Sequence, residues 1–344
     1  MSESARRGHL PPWAVLAGAL ALVAVACVAT PLVGATQISL ARVFDTSIPL
    51  DLNPDRIIFF ELRLPRLVFA LVTGASLALA GAVFQGLLRN DLATPYTLGV
   101  SGGSTLGALV ALYLAPATLA VLPLTTVGAL LGGAVAVTVI LLIASRAGTA
   151  NRVGTLLLAG VTMNLIFGAA IQVVQFKANP FEVFAMIRWM MGGLDGVGFG
   201  TSAFLGVALV AAGAMLMLHA QALNVMTLGD ETAAHLGLEP RKVRLRCAIA
   251  AAALTALVVS WAGPIGFIGL IVPHAMRRLG GPDHRLLLIS SAIAGAGFLA
   301  LCDGAGRSIG GDQEIPVGIV TAALGGPFFL WILFSKGIEG AREE

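Results

Sequence analysis

The chain has 344 residues, of which 57% are hydrophobic and only 11% charged, and its formal net charge is +3. Soluble domains carry about 25% charged residues. The composition, with a mean hydropathy of +0.91, therefore excludes a soluble globular protein. The three cysteines, Cys27, Cys247 and Cys302, are far apart in the chain and lie in or beside apolar segments. This pattern favours free thiols in helix packing over a disulfide or a metal site.

Ten apolar segments predict an all-α polytopic membrane protein, because about 20 apolar residues suffice to cross a bilayer as helix. The eighth segment is short and interrupted by glycine and Pro264, so we expect a partly broken helix there. The first follows Arg6 and Arg7, as a signal peptide would, but the residues after Gly34 do not resemble a soluble mature chain. The predicted spans are 12–33, 64–88, 98–115, 121–144, 153–175, 201–219, 243–262, 264–276, 286–302 and 315–335.

The distribution of Lys and Arg predicts the orientation. With ten spans, one side receives both termini, and the positive-inside rule makes the more cationic side cytoplasmic. That side carries fourteen cations: Arg6, Arg7, Arg89, Arg146, Arg152, Arg241, Lys242, Arg244, Arg246, Arg277, Arg278, Arg285, Lys336 and Arg342. The other side carries seven: Arg42, Arg56, Arg63, Arg66, Lys177, Arg188 and Arg307. Both termini are therefore predicted to be cytoplasmic, in a single permease domain, 1–344, with a long cytoplasmic loop at about 220–242.

Few ionisable residues lie deep in a predicted span. Glu61, Asp91, Asp303 and Glu314 all fall at predicted span ends, whereas proton-coupled transporters carry such groups within the membrane. A secondary transporter or channel is therefore disfavoured. The chain contains no Gly-x4-Gly-Lys-Ser/Thr phosphate-binding loop, and no Ser/His or paired-carboxylate arrangement stands within the spans, so we expect no enzyme activity in this subunit.

Four motifs spread over nearly the whole chain closely resemble the FecCD-type permeases of type II ABC importers. One departure is that the family often has Asn-Pro-Leu-Ala where this chain has Asn-Asp-Leu-Ala at 90–93, so the shape of that turn is open. The motifs are Arg63-Leu64-Pro65-Arg66; Gly81-Ala82-Val83-Phe84-Gln85-Gly86 with 90–95 and 98–100; Gly263-Pro264-Ile265-Gly266-Phe267-Ile268-Gly269 with 270–274; and Pro316-Val317-Gly318 with 319–322 and Gly325-Gly326-Pro327.

The resemblance implies ten spans per subunit and a homodimer in the bacterial inner membrane, with the transport path on the twofold axis. It implies two ATPase subunits on the cytoplasmic side, which would hold ATP and Mg²⁺, and a periplasmic substrate-binding protein. We expect no cofactor, metal or nucleic acid on this subunit, whose remaining partner is membrane lipid. The cargo is expected to be an iron–siderophore or haem, with vitamin B12 or another bulky ligand as the alternative.

The resemblance also implies roles for residues at both ends of the path. Arg63, Arg66 and Arg307 correspond to arginines that pair with glutamates of the binding protein, and exposed guanidinium groups suit bidentate carboxylate recognition. The alternative is that Arg63 and Arg66 anchor a helix end at the lipid headgroups. The cytoplasmic gate is expected at two turns that would close the path by excluding water, at Asn90, Leu92, Val153 and Gly154.

Two further segments resemble functional parts of the family. The amphipathic stretch 228–238, with a glycine near its end, predicts a short helix. The resemblance implies that this helix seats on the ATPase, and the alternative is an ordinary surface helix. Its coupling residues are expected to be Leu228, Gly229, Asp230, Glu231, Ala233, Ala234 and Gly237. For the predicted periplasmic segment 176–197 the resemblance implies a short helix that lines the outer mouth, where methionine and aromatic side chains would give an adaptable surface for a bulky chelate. The alternative is an aromatic belt at the membrane interface. Its lining residues are expected to be Phe184, Met186, Trp189 and Met190.

Overall fold

The computed structural model describes residues 9–34, 36–49, 52–114, 121–146, 152–310 and 313–340, which contain helices and no strand. A π-helical turn, Ile58–Arg63, leads directly into the fourth α-helix. The α-helices, in chain order, are α1 Pro12–Leu32, α2 Leu40–Val43, α3 Pro54–Ile57, α4 Leu64–Leu88, α5 Val100–Leu114, α6 Val121–Arg146, α7 Arg152–Lys177, α8 Pro180–Met190, α9 Phe199–Leu218, α10 Ala220–Met226, α11 Asp230–His235, α12 Pro240–Ala262, α13 Ile268–Gly280, α14 His284–Ile309 and α15 Val317–Gly340.

A helix lies at each of the ten predicted spans, but the helices differ in length. Helix α13 has 13 residues and would reach only about 20 Å, against a hydrocarbon core of about 30 Å. Two more apolar helices, Val100–Leu114 and Val317–Trp331, are also short. Within the described residues, seven helices are long and apolar enough to cross a membrane: Pro12–Leu32, Pro54–Leu88, Leu124–Ile143, Gly154–Lys177, Phe199–Leu218, Pro240–Ala262 and His284–Ile309. The polytopic α-helical class is confirmed, and the count of ten stays a prediction.

Helix α4 forms the core of the subunit. The most apolar stretch of Pro54–Leu88 is 83% buried, whereas that of α9 is 17% buried. Helix α4 packs against α14, α12, α13 and α9. Small residues permit this crowding: a Cβ on Gly81 would overlap the Gly269 carbonyl of α13, so the two backbones touch. The peripheral helices are left with apolar faces for lipid or for another subunit.

Helices α5 and α6 are packed through two glycine pairs. A Cβ on Gly107 would overlap the carbonyl oxygen of Gly128, and one on Gly103 would lie 2.5 Å from that of Gly132. The four-residue spacing on each helix places both pairs on one contact line. These glycines therefore set the distance between the two helices.

The predicted break near residue 264 is confirmed. Helix α12 ends before Gly263, and α13 begins after Phe267, which has a φ of 67°. The Gln85 amide donates to the carbonyls of Gly269 and Leu270, 3.3 Å away in each case. The Phe267 ring lies where a Cβ on Gly325 would stand. Irregular backbone is tolerated at membrane depth when it is buried in protein, and the motifs around Gln85, Phe267 and Gly325 supply that environment.

Candidate functional site

A cluster of ion pairs lies on the predicted periplasmic side, around Arg66 at the start of α4. Its Nη2 is 2.8 Å from Asp303 Oδ1, and its Nη1 is 2.5 Å from both Asp195 Oδ1 and Glu314 Oε2. The three carboxylates come from α14, from the α8–α9 loop and from the segment before α15. One guanidinium therefore joins three distant parts of the chain to α4.

Arg63 and Arg307, the other two predicted docking residues, are buried. Arg307 donates to the carbonyls of Val33 and Thr30, both at 3.0 Å, and Arg63 donates to Pro31 O at 2.8 Å and to Thr36 O. These carbonyls belong to the end of α1 and the residues after it, where helices leave acceptors unsatisfied. The expectation that these two arginines are exposed was wrong, because they cap α1. Their role in docking stays a prediction.

Asp303 also lies elsewhere than predicted. The sequence placed it at the end of a span, but α14 continues to Ile309 and its side chain is 2% exposed. Arg307 Nε lies 3.1 Å from Asp303 Oδ2, one helical turn away, and Arg66 completes the pairing. Buried carboxylates need such compensation. The sequence analysis missed this pair, although the i,i+4 spacing of Asp303 and Arg307 is a sequence signal that could have found it.

The segment 228–238, predicted to be cytoplasmic, contains a short helix, as expected from its sequence. Helix α11 spans Asp230–His235 and stops before Gly237, whose φ is 81°. Ala233 faces inward and is fully buried, whereas Leu228 and Leu236 are 69% and 64% exposed. Two large apolar side chains in water beside a short helix form a surface suited to a protein partner. We call residues 228–238, at which coupling to an ATPase is predicted, the coupling segment.

Asp230 links the coupling segment to two other elements. Its carboxylate lies 2.7 Å from Arg89 Nη2 and 3.0 Å from Arg244 Nη2. Arg89 terminates α4 in a left-handed conformation with a φ of 49°, directly before the turn at Asn90. Arg244 lies in the first turns of α12. A single ion pair, between Asp230 and Arg89, therefore joins the predicted ATPase contact to the predicted gate turn. The spacing of these residues in the sequence did not indicate this contact.

The predicted gate turn is held by its own side chains. Asn90 Oδ1 accepts from the Leu92 backbone N–H at 2.9 Å, forming a local turn. Asp91, at the position where the family often has proline, pairs with Arg277 of α13, and His274 lies 3.8 Å from it. The aspartate thus ties the turn to α13 by charge.

The second predicted gate turn is only partly described. The side chain of Val153 lies outside what the structure describes. Gly154, at the start of α7, is exposed. Further along α7, Asn164 Nδ2 donates to the carbonyl of Tyr96, four residues after Leu92, at 2.8 Å.

Helix α8 confirms the short helix predicted in segment 176–197. Asn179 and Glu182 cap it reciprocally. Phe184 is 68% exposed, but Met186 is fully buried, with Leu109 and Ile171 in one apolar cluster. The placement of Met186 on a lining surface was therefore wrong, because its face of the helix packs against α5 and α7. Trp189 and Met190 are half-buried against that cluster.

A polar network holds α10 to the start of α14. Asn224 Nδ2 donates to Asp283 Oδ1 at 2.7 Å, and its Oδ1 accepts from the His284 backbone N–H at 2.8 Å. Burial raises the pKa of Asp283, but the Asn224 amide and the Arg285 N–H outweigh it and leave the pKa lowered. The carboxylate is therefore ionised at neutral pH. Its hydrogen bond with Asn224 holds α10, the helix that precedes the coupling segment, against the start of α14.

The described residues contain no group of three or more His, Cys, Asp or Glu side chains placed to hold a metal ion. All three cysteines are free, with Cys27 exposed and Cys247 and Cys302 buried.

Comparisons with known proteins agree over most of the chain. Residues 20–335 match the FecCD transport family. The chain is 35% identical over 334 residues to the hemin transport system permease protein HmuU of Yersinia pestis, which covers 96% of this chain and 98% of that protein. It is 38% identical to the vitamin B12 import system permease protein BtuC of Salmonella typhi, over 80% of this chain and 83% of that protein. A solved inward-facing metal-chelate type ABC transporter is similar with a TM-score of 0.80 at 27% identity, covering 94% of this chain and 99% of that one.

Proposed function

The chain belongs to the FecCD transport family and is a multi-pass permease, and from that premise we propose that it moves an iron chelate, a siderophore complex or haem, from periplasm to cytoplasm. The cargo passes intact, because the subunit carries no chemistry of its own. Energy comes from ATP and Mg²⁺ on partner ATPase subunits. The hemin permease relative, similar over nearly its full length, supports haem.

We propose that the working assembly contains two copies of this chain and two ATPase subunits, fed by a periplasmic binding protein. Exposed apolar side chains on the peripheral helices support a protein or lipid partner there: Leu165 on α7 and Val210 on α9 are both 71% exposed. The path would run between the two copies. Docking of the binding protein is assigned to the end of the molecule that holds Arg66.

The observation that carries the proposal is the ion-pair link between the coupling segment and the gate turn. Movement of α11 by an ATPase acts on Asp230, which is bound to Arg89 at the end of α4. Arg89 directly precedes Asn90, the first residue of the gate turn, so a displacement of α11 reaches the turn through one residue. Arg244 transmits the same displacement to α12. This is a short mechanical route from nucleotide hydrolysis to the cytoplasmic gate.

Vitamin B12 is the second candidate cargo, because the BtuC relative is 38% identical. Both cargoes are bulky and partly apolar, and exposed Phe184 and Phe181 on α8 offer a surface to either. A secondary transporter is disfavoured, because the buried Asp303 is paired with two arginines and is not a free proton carrier.

The test is uptake into proteoliposomes that contain this chain, the ATPase and the binding protein. Haem, a ferric siderophore and cobalamin are each supplied with the binding protein. We expect ATP-dependent uptake of haem or the ferric siderophore and little uptake of cobalamin. If cobalamin uptake exceeds the uptake of both iron chelates, the cargo is vitamin B12 and the assignment to an iron chelate is wrong. Uptake of any of them without the ATPase would contradict the importer mechanism.

A further inference from the structure

The predicted docking surface carries no net charge. Arg66 and Arg307 pair with the three carboxylates of the cluster, those of Asp303, Glu314 and Asp195, and among these the buried Arg63 interacts only with the charge of Glu314. A positive surface attracts an acidic partner through uncompensated charge. As the cluster stands, an approaching carboxylate meets as many negative groups as positive ones.

The three carboxylates are not equally held. The Asp303 side chain is 2% exposed, whereas those of Glu314 and Asp195 are 37% and 54% exposed. Glu314 and Asp195 both lie 2.5 Å from the same nitrogen, Arg66 Nη1, while Asp303 takes Nη2 and Nε. Exposed ion pairs contribute about 0–1 kcal/mol, and like charges sharing one donor oppose each other. The two outer carboxylates are therefore exchangeable, and the inner one is not.

We propose that Asp195 and Glu314 act as internal substitutes for acidic side chains of the binding protein, which displace them from Arg66 on docking. This inference rests on the proposed function. The partner is thus an acidic surface of a periplasmic protein, and its carboxylates take over the Nη1 edge of Arg66. Because Asp303 keeps the other edge, Arg66 stays in place during the exchange.

The exchange also affects the conformation of the permease, because Asp195 and Glu314 tether two different elements to Arg66. Asp195 lies in the loop that joins α8 to α9, between Gly192 and Gly196, which have φ values of 72° and 68°. Glu314 lies three residues before α15. When a partner carboxylate replaces them, the loop next to the outer-mouth helix α8 and the start of α15 are released from α4. Docking thereby loosens the outer mouth.

The experiment measures binding-protein affinity for the permease–ATPase complex in lipid nanodiscs at low salt. Asp195→Asn and Glu314→Gln each remove a competitor, so each should tighten association about two- to fivefold, and the double variant by about tenfold. Arg66→Gln should weaken it. A direct role of these carboxylates in binding a basic partner surface predicts the opposite sign, so unchanged or weakened association in the double variant overturns the proposal.

Glu61→Gln is the matched control. Glu61 is exposed on the same predicted side and has no ion-pair partner among the described residues, so the variant makes the same charge change outside the cluster. If Glu61→Gln tightens binding as much as Glu314→Gln does, the gain in affinity comes from net charge alone and the proposed exchange is wrong. Hydrogen–deuterium exchange should show faster exchange of residues 191–198 when the binding protein is added.

Failure of the inference is distinguishable from failure of the proposed function. If wild-type complex transports its cargo but the variants bind like wild type, the exchange is wrong and the importer stands. If wild-type complex neither binds the protein nor transports, both are wrong.

Discussion

Asp303 shows how one buried carboxylate organises the predicted periplasmic end. It is 2% exposed and pairs with Arg66 and Arg307, which in turn hold the acidic segments and the end of α1. Ion pairs at the surface contribute little, but removal of one partner from a buried pair leaves an uncompensated charge. The stability of this end of the molecule therefore depends on a residue that the chain pattern placed at a boundary.

Substitution of Asp303 by leucine should destabilise the protein by about 3–5 kcal/mol, because Arg307 is left charged and buried. The measurement is the shift in the unfolding temperature of purified protein in detergent, at one fixed heating rate. Glu314→Gln, at a 37% exposed carboxylate of the same cluster, should cost less than about 1 kcal/mol. Equal losses in the two variants would contradict the assignment of Asp303 as the inner partner.

The ion pairs of Asp230 with Arg89 and Arg244 can be tested by removing its charge. Asp230→Asn removes the charge shared by Arg89 and Arg244, so we expect the assembled complex to hydrolyse ATP while uptake falls several-fold. The ratio of ATP hydrolysed to cargo transported is the measurement. Lys242→Gln is the control, because the Lys242–Glu239 pair is exposed and lies within one turn. A ratio unchanged by Asp230→Asn would show that the link to the gate turn carries no movement.

At the scale of elements, close helix contacts account for much of the glycine content. Helices α5 and α6 meet through backbone at Gly107 and Gly128, so even one methyl group has no space there. Elsewhere a helical glycine has open space: a Cβ on Gly206 of α9 would meet nothing within 4 Å. The two sites therefore respond in opposite directions to the same substitution.

Gly107→Ala should lower the unfolding temperature, because α5 and α6 must separate to admit the methyl group. Gly206→Ala should leave it unchanged or raise it, since alanine is favoured over glycine within a helix by up to about 1 kcal/mol. Both variants are compared with wild type by thermal unfolding in the same detergent. A stabilised Gly107→Ala protein would show that the two helices do not touch as described.

At the scale of the whole molecule, the subunit presents two ends with different chemistry. The predicted periplasmic end is a compensated charge cluster around Arg66, and the predicted cytoplasmic end carries Leu228 and Leu236 beside an ion-pair network. Exposed leucines suit stable association, whereas exchangeable ion pairs suit a partner that arrives and leaves. The two ends therefore suit the two kinds of partner proposed above, an ATPase at the apolar surface and a binding protein at the charge cluster.

Assembly can be tested at these leucines. Leu228→Glu combined with Leu236→Glu should abolish co-purification of the ATPase, because charge replaces the apolar contact, and should leave association between two copies of the chain intact. Mass photometry in nanodiscs measures both stoichiometries. Lys242→Glu, at an exposed side chain outside α11, is the control and should keep the ATPase bound. Retention of the ATPase by the double variant would move the coupling surface elsewhere.

The sequence by itself determined the class of this protein. The length of the apolar segments predicted a helix at every span, and the glycine and proline residues at 263–267 predicted the break before α13. The four motifs identified the family that full-length similarity confirms. These features follow from local chemistry: a run of apolar residues in a bilayer must satisfy its own backbone, and only helix does so within one segment.

Only the tertiary structure decided which side chains face what. Met186 is buried, and Arg63 and Arg307 donate hydrogen bonds to carbonyls at the end of α1. Asp303 is a buried ion-pair partner. Asp230 met Arg89 across 141 residues of chain. Such contacts depend on how the helices rotate and pack, and in a chain that is apolar all round, hydrophobic periodicity does not fix that rotation. The ion-pair cluster around Arg66 and the contact between Asp230 and Arg89 therefore became visible only when the helices were in place.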